Sequence, residues 1–416
     1  MSTKHPLLLL IFLLTALPAF SQTPTETDEP DPWFLGYETE PAMDFGGRTL
    51  ASLQTGISEA IGSIKDVGER HPGVTPAWEF PLGAALLLVQ HEVGGHGGRA
   101  REFGLGPSYG FGFDFSGYTS TKRAPRTNEE LLLLAAGGVE ADQILARRVF
   151  LDLLRDEGTD AAKIPMAFMA KLDLSLYVST VPHPRPGDDE GDFSDEATSG
   201  NDMVLYLVGR QAQRHGAPAA AVWDGTYAID FEDPLLEDNW DDARITAIWN
   251  VLDPTLVAGL FAYFRDHVLQ GEGRVRAPML HAGNVNLILG TRGALGPQSV
   301  SRFLDLHAAT RQGVFTIYLR DLDSSVDRTY GAGAGVHGLR LGQRVELGLS
   351  ADLWSEPESI ERLPGGDGWN ATAEVDARLG ARWGLSAKAG AKSDGFFPGL
   401  PQEDGPYFGL GVMAGW

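Results

Sequence analysis

The residues best equipped for chemistry are His91, Glu92 and His96, in the stretch Gln90-His91-Glu92-Val93-Gly94-Gly95-His96. A histidine followed at once by a glutamate, with a second histidine about one helical turn on, offers two neutral nitrogens to zinc. The glutamate supplies a base for the water that zinc activates. In the common HExxH arrangement the histidines stand at i and i+4, about 40° apart around a helix, whereas i and i+5 stand about 140° apart. The histidines of this chain are at i and i+5, so a regular helix would send them in different directions. A one-residue bulge of π type restores a shared face. Gly94-Gly95, without Cβ atoms, makes that distortion cheap. The expectation is a zinc site with His91 and His96 as ligands and Glu92 as general base. The plainer alternative is a glycine-rich helix end with two surface histidines.

Zinc needs a third protein ligand. The chain has no cysteine, so the ligands must be histidines and carboxylates. In the helix-patterned run Asn128 to Leu154, Glu140 is the only acid in the small apolar turn Ala135-Ala136-Gly137-Gly138-Val139-Glu140-Ala141. A buried carboxylate is costly unless it is paired or ligates a metal, and Glu140 is the expected third ligand. Asp142 is expected to orient a ligating histidine from behind. Asp253, in Leu252-Asp253-Pro254, competes with Glu140, though Asp before Pro also reads as an ordinary N-cap. Arg99 and Tyr109 are candidates to steady an oxyanion.

These residues carry two resemblances. His91-Glu92…Gly95-His96, with its extra residue, is similar to the zinc motif of dipeptidyl peptidase III. The longer pattern His91-Glu92…Gly95-His96…Ala100-Arg101…Gly104, followed by the aromatic segment Tyr109 to Tyr118, resembles the site-2 protease family. That family's motif continues past HExxH as A-R-x-x-G into a small sheet. The resemblance implies histidine ligands and a glutamate base, and so assigns those roles to His91, His96 and Glu92. Asp253 is weakly similar to the Leu-Asp-Gly aspartate of the same family, with proline in place of glycine.

The elements that must position these residues fall into a series. Lys4 and His5 before the apolar run Leu7 to Leu14, with Ala19-Phe20-Ser21 ahead of Gln22, read as a cleaved secretory signal over 1–21. An acidic, proline-rich linker over 22–47 follows. Residues 48–272 read as a mainly helical, zincin-like domain. Its metal helix is expected to start near Pro81 and to stop or bend at Gly97-Gly98. Tyr109 to Phe115 alternates aromatic with small or polar residues, a strand signal. It fits either a hairpin packed on the metal helix or an edge strand holding an extended substrate. The acidic loop Gly187 to Asp202 lacks the spacing of a calcium loop and reads as a solvated surface. No helix is a clean apolar span.

The last third, 275–416, carries eight segments of period two. Val345, Leu347, Leu349, Ala351 and Leu353 alternate with Arg344, Glu346, Gly348, Ser350 and Asp352, and Ala371 to Leu379 alternate likewise. Tight turns at Thr310–Gln312, Leu341–Gly342 and Gly380–Ala381 alternate with long loops, and the chain closes on Trp416. Strands with an apolar outer face, joined by turns short on one side and long on the other, describe an eight-stranded outer-membrane β-barrel. Inner Arg344, Glu346, Asp352, Glu374, Arg378 and Lys388 should pack as an ion network rather than line a pore. The alternative is a soluble antiparallel sheet with one buried face.

The fold class is thus α+β: a periplasmic, mainly helical metallopeptidase-like domain followed by an antiparallel eight-stranded outer-membrane barrel. The expected function is a zinc-dependent hydrolase of peptide or protein substrates, anchored in outer-membrane lipid and acting on the periplasmic side. The alternative is a non-enzymatic binding or scaffold protein whose metal, if any, is structural. A formal charge of −23 argues against nucleic acid, whose phosphates demand basic patches.

Overall fold

The computed structural model describes residues 31–63, 72–181, 183–184, 201–324, 327–357, 366–380 and 382–415. The expected signal peptide, Gly187 to Gly200 of the acidic loop, and Trp416 lie outside the described residues. The chain is α+β, with helices before residue 270 and a large antiparallel sheet after it.

In chain order, β1 (Trp33–Glu38) is followed by α1 (Met43–Ser63), α2 (Pro76–Val89), a π-helical turn (Gln90–His96), α3 (Gly97–Glu102), and the hairpin of β2 (Pro107–Phe111) and β3 (Gly117–Thr121). Then come α4 (Asn128–Leu153), β4 (Thr159–Asp160), α5 (Lys163–Thr180), α6 (Asp202–Arg214), α7 (Ala219–Trp223), α8 (Pro234–Val251) and α9 (Pro254–Ala262). A second π turn (Tyr263–Val268) extends α9 and leads to β5 (Arg274–Val275) and β6 (Leu280–Ala282). Eight long strands complete the chain: β7 (Val285–Leu295), β8 (Val300–Thr310), β9 (Gly313–Asp323), β10 (Arg328–Leu341), β11 (Val345–Ser355), β12 (Asp367–Arg378), β13 (Trp383–Lys392) and β14 (Gly405–Ala414).

The eight long strands form an antiparallel meander, as the alternation demands. They do not close on themselves. The sheet has ten strands in the order β1-β14-β13-β12-β11-β10-β9-β8-β7-β6, with β1 and β6 at its two ends. The edge of β1, and the stretch of β7 that the short β6 leaves unpaired, are capped by helix side chains and so need no partner strand there. On β1, the Phe34 N–H donates to Ser52 Oγ of α1 at 3.1 Å, and Ser52 Oγ donates to the Phe34 carbonyl at 3.2 Å. On β7, the Gly293 N–H donates to Asn250 Oδ1 of α8 at 2.6 Å. The Thr291 N–H donates to Asp253 Oδ1 at 3.2 Å, and Lys171 Nζ of α5 donates to the Thr291 carbonyl at 2.8 Å.

Two further expectations change. Part of the stretch read as a linker is β1, which pairs with β14 from Trp33↔Ala414 to Glu38↔Gly409, and α1 begins at Met43. The acidic composition before Asp31 masked the period-two pattern of Trp33, Leu35 and Tyr37 against Phe34 and Gly36. The metal helix starts at Pro76, which takes the first-turn role expected of Pro81, and Pro81 lies inside it.

The concave face of the sheet is filled by helices. Arg148 of α4 meets Glu374 of β12 at 2.8 Å, Asp152 meets His337 of β10 at 2.7 Å, and the following Arg155 meets Glu346 of β11 at 2.7 Å. Arg48 of α1 adds contacts to Glu374 and Asp376, and Lys388 of β13 pairs with Glu38 and Asp44. Of the expected inner ion network, Glu346, Glu374 and Lys388 are paired, but with partners on β1, α1, α4 and the turn after α4 rather than on the opposite wall; Asp352 accepts from Asn370 instead, and Arg344 and Arg378 are exposed. A sheet that must enclose a helix cannot curl as tightly as an eight-stranded barrel.

Candidate metal centre

The stretch that carries both histidines folds as the i, i+5 spacing requires for them to share a face. Residues Gln90–His96 form a π-helical turn between α2 and α3, and His91, Glu92 and His96 are all buried. The turn presses against α4 where neither side carries a Cβ. A methyl group at Gly95 would lie 2.4 Å from the Gly137 carbonyl oxygen, and one at Gly138 would lie 2.3 Å from the His91 ring.

The two imidazoles face each other, with Nε2 to Nε2 at 3.1 Å. His96 Nδ1 lies 2.6 Å from the Leu134 carbonyl, which can only accept. His91 Nδ1 lies 3.1 Å from Asp142 Oδ2 and 3.3 Å from Asp173 Oδ2. Both Nδ1 atoms are therefore donors, which leaves lone pairs on the two facing Nε2 atoms. Two lone pairs at that distance repel unless a cation stands between them. Asp202 Oδ2 completes a triangle, 3.3 Å from His91 Nε2 and 3.0 Å from His96 Nε2. With metal–nitrogen and metal–oxygen bonds of about 2.0–2.1 Å, a tetrahedral edge is about 3.3 Å. The three donor atoms are spaced as one face of such a tetrahedron, and His91, His96 and Asp202 could hold a metal ion.

The electrostatics favour a cation. Burial opposes charge on His91, but the Tyr177 oxygen and the Asp173 and Asp142 carboxylates outweigh it and hold its pKa well above the ordinary 6.5. Burial opposes charge on His96 too, and Asp202 reverses the balance and raises its pKa. For Asp202, the pull of His96 and the hydrogen bonds from both histidines overcome burial, so its carboxyl titrates below the usual range. The Asp142 carboxyl is pushed well up by burial and by the neighbouring Asp173.

Glu92 sits beside this set. Its Oε2 accepts from Thr119 Oγ1 of β3 at 2.7 Å, and the same hydroxyl lies 2.9 Å from its backbone carbonyl. A Cβ at Gly117 would lie 2.9 Å from Glu92 Cγ. The hairpin is packed on the metal turn, with the Tyr109 hydroxyl donated to by Arg101 at 2.7 Å. Its tip leaves Phe111, Phe113, Phe115 and Tyr118 exposed. Tyr177 of α5 stacks on the His91 ring and brings its hydroxyl to 3.0 Å from Nε2.

Of the expected residues, the fold brings together His91, His96, Glu92 and Asp142, the last in the orienting role predicted for it. Glu140 is not with them. It grips Arg99 through two bonds, Nε to Oε2 at 3.0 Å and Nη2 to Oε1 at 2.5 Å, and accepts from the Gly399 N–H at 2.7 Å. Two residues along a helix turn the side chain by about 200°, so if Asp142 faces the histidines Glu140 must face away. The need for a partner was legible; the partner is a guanidinium. Arg99 is thereby committed, and neither it nor Tyr109 points at the metal set. Asp253 caps α9 through the Thr255 N–H at 2.9 Å and pairs with Lys171 at 2.8 Å, in keeping with its reading as an N-cap. Asp202 and Tyr177 escaped sequence reasoning. Asn201 caps α6 by accepting from Met203 and Val204, a readable helix start, but nothing in the spacing ties residue 202 to residue 91.

Comparison with family models, with curated proteins and with solved structures finds no match.

Proposed function

We propose that this chain is an outer-membrane-anchored, zinc-dependent hydrolase of the peptidase type. The observation that carries the proposal is the triangle of His91 Nε2, His96 Nε2 and Asp202 Oδ2, with sides of 3.0–3.3 Å and Glu92 one residue from its first corner. The donor set, two imidazoles and a carboxylate, suits a catalytic zinc, which when bound supplies Lewis acidity and lowers the pKa of its water to about 7. The chain's own groups do the rest. Asp142 and the Leu134 carbonyl fix the tautomers of the two histidines, so that both Nε2 atoms stay available. Glu92 accepts the proton of the attacking water and returns it to the leaving group, while Thr119 holds its carboxylate in place. The Tyr177 hydroxyl, on the rim of the triangle, donates to the oxygen that gains charge in the transition state.

The sheet supports membrane anchoring. On its convex side Leu304, Leu306, Ile317, Leu319, Leu385 and Leu410 are exposed. Outward charges gather at one rim, where Arg302 pairs with Asp323 and Arg328 with Asp321. Aromatic residues mark both rims: Trp33 and Trp383 lie level with each other across Ala414 at one, and Tyr330 and Trp369 stand toward the other. An apolar band between aromatic girdles is the surface of a protein in a bilayer.

A second reading, a structural metal, has one observation in its favour: the Tyr177 hydroxyl stands where it could close the shell. Tyr177→Phe separates the two. In the hydrolase reading zinc stays bound and hydrolysis of a peptide library falls; in the structural reading zinc is lost. The hydrolase reading also requires that Glu92→Gln keep its zinc and lose activity by a factor of about 10²–10⁴. Undiminished hydrolysis in a zinc-loaded Glu92→Gln protein would end it.

A further inference from the structure

The sheet leaves a gap between β1 and β7, and the elements beside it are unusual. The bent pair α8–α9, with its π-turn extension, runs alongside the free edge of β7. Asp242 meets Arg302 of β8 at 2.7 Å near one rim, Asn250 binds Gly293, and Asp253 binds Thr291. Asn250 and Asp253 hold the free edge of β7, while Asp242 and Trp249 reach past it to Arg302 and the Phe303 carbonyl of β8, so the pair continues the sheet laterally instead of lying on its concave face. Its outward residues are apolar: Ile245, Ile248, Leu252, Val257, Phe261 and Phe264 recur at spacings of three to five and form one stripe, with Leu252 and Val257 65% and 62% exposed. The inward residues Ala243, Ala247, Ala258 and Ala262 are buried.

We propose that α8 and α9 are a helical stave in the wall of a composite barrel, and that their outer stripe faces the hydrocarbon of the same bilayer as the convex sheet. The inference rests on the proposed membrane anchoring of that sheet. Three observations select lipid as the occupant. The stripe adjoins Leu289, Leu304 and Leu306 on β7 and β8, exposed on the face already assigned to lipid. It is bounded by charge, with exposed Asp241 and Arg244 before Ile245 and the Arg265–Asp266 pair after Phe264. Its length fits as well: from Ile245 to Phe264 a helix rises about 28 Å before bending, against an apolar band about 25 Å tall on such barrels. The two helices meet at 40° and together have the length and composition of a broken span.

The stave also has a consequence for the metal centre. Arg148 of α4 meets the middle of β12, and Asp142 lies six residues further up the helix, about 9 Å. The centre therefore stands toward the rim of the long loops, where Glu140 of the same helix accepts from the Gly399 N–H. Between it and the stave lie α5, which carries Tyr177, and α6, which begins at Asp202; both pack with α8 in one cluster that includes Leu174, Val178, Leu207, Ala243 and Ala247. Without the stave, lipid would reach the helices that line the site.

The native chain has no cysteine, so single cysteines can be placed without a background. Nitroxide labels at Ile248, Val257 and Phe261 on the stave, and at Leu319 and Leu385 on the sheet, would be compared in phosphatidylethanolamine–phosphatidylglycerol vesicles. Power saturation with oxygen, which partitions into lipid, and with a water-soluble nickel chelate reads the surroundings of each label. The expected result is oxygen accessibility above nickel accessibility at all five positions. Nickel-accessible stave labels beside oxygen-accessible sheet labels would overturn the stave and leave the membrane reading intact. Nickel access at both sets would overturn the membrane reading and the stave with it. Stave labels shielded from both reagents would mean a protein partner, and would overturn lipid as the occupant. Three stave positions are used so that a label that prevents folding does not decide the outcome.

Discussion

Asp202 and Glu140 are both buried or half-buried acids, and their partners separate their roles. Asp202 faces two imidazole nitrogens; Glu140 faces a guanidinium that is itself fully buried. Removing Asp202 should cost the metal, whereas removing Glu140 should cost stability. Glu140→Ala leaves Arg99 buried with only Glu102 as a charged partner, and breaking a buried pair typically costs about 3–5 kcal/mol. Urea denaturation of the zinc-loaded protein checks this: the midpoint should fall in Glu140→Ala at unchanged zinc content. The histidines make a second prediction. Both have raised pKa values in the metal-free chain, so their protonated forms contribute stability that is present below about 6.5 and is lost as pH rises through their folded-state values. Metal-free protein should become less stable as pH rises through and above neutrality, and zinc should abolish that slope, because it replaces the proton. A thermal-melt series across pH 5.5 to 9, with and without a chelator, reads both. Zinc uptake should correspondingly weaken on acidification, beginning above the pH where ordinary histidines titrate.

The π turn is where an element makes the site possible. Spacing alone announced it: an i, i+5 pair that shares a ligand needs one extra residue per turn, and the glycines that permit it sit inside the interval. The partner of Gly95 is Gly137-Gly138 on α4, and the contact leaves no room for a methyl. Gly138→Ala should push the His91 ring off the triangle, lowering zinc affinity by at least the 10–100-fold typical of a misoriented ligand. Competition with a chelating dye would measure it, and unchanged affinity would mean the rings are not packed as described. Other elements were legible for simpler reasons. Helix α4 announces itself by its apolar, helix-patterned length, and the structure adds Thr127 as its N-cap, accepting from Glu130; the eight strands announce themselves by period two. What the pattern could not convey is assembly. The edge of β7 is satisfied by Asn250, Asp253 and Lys171, three side chains whose pairing with strand backbone has no signature along the sequence. The third ligand was hidden for the same reason, since it is brought in by a helix more than a hundred residues away.

At the scale of the molecule, the helical and strand-rich parts are one packed body. Helix α4 runs through the concavity of the sheet, β1 extends the sheet from the other end of the chain, and the ion pairs of Arg48, Arg148, Arg155 and Lys388 cross between the two parts. Cutting the chain near residue 272 should therefore yield two fragments that do not fold separately. A 275–416 fragment would expose the inner Glu346, Glu374 and Lys388 without their partners, and in detergent its β-signal in circular dichroism should be weaker, and lost at lower temperature, than that of the full chain measured beside it. Helices and sheet together hold the one candidate centre in place. The most direct measurement is zinc content of detergent-purified, metal-reconstituted protein by mass spectrometry, for the native chain beside His96→Ala, Asp202→Ala and Glu140→Ala. The account predicts a single zinc per native chain, lost in His96→Ala and Asp202→Ala and kept in Glu140→Ala. Zinc retained in Asp202→Ala, or absent from the native chain, would contradict it.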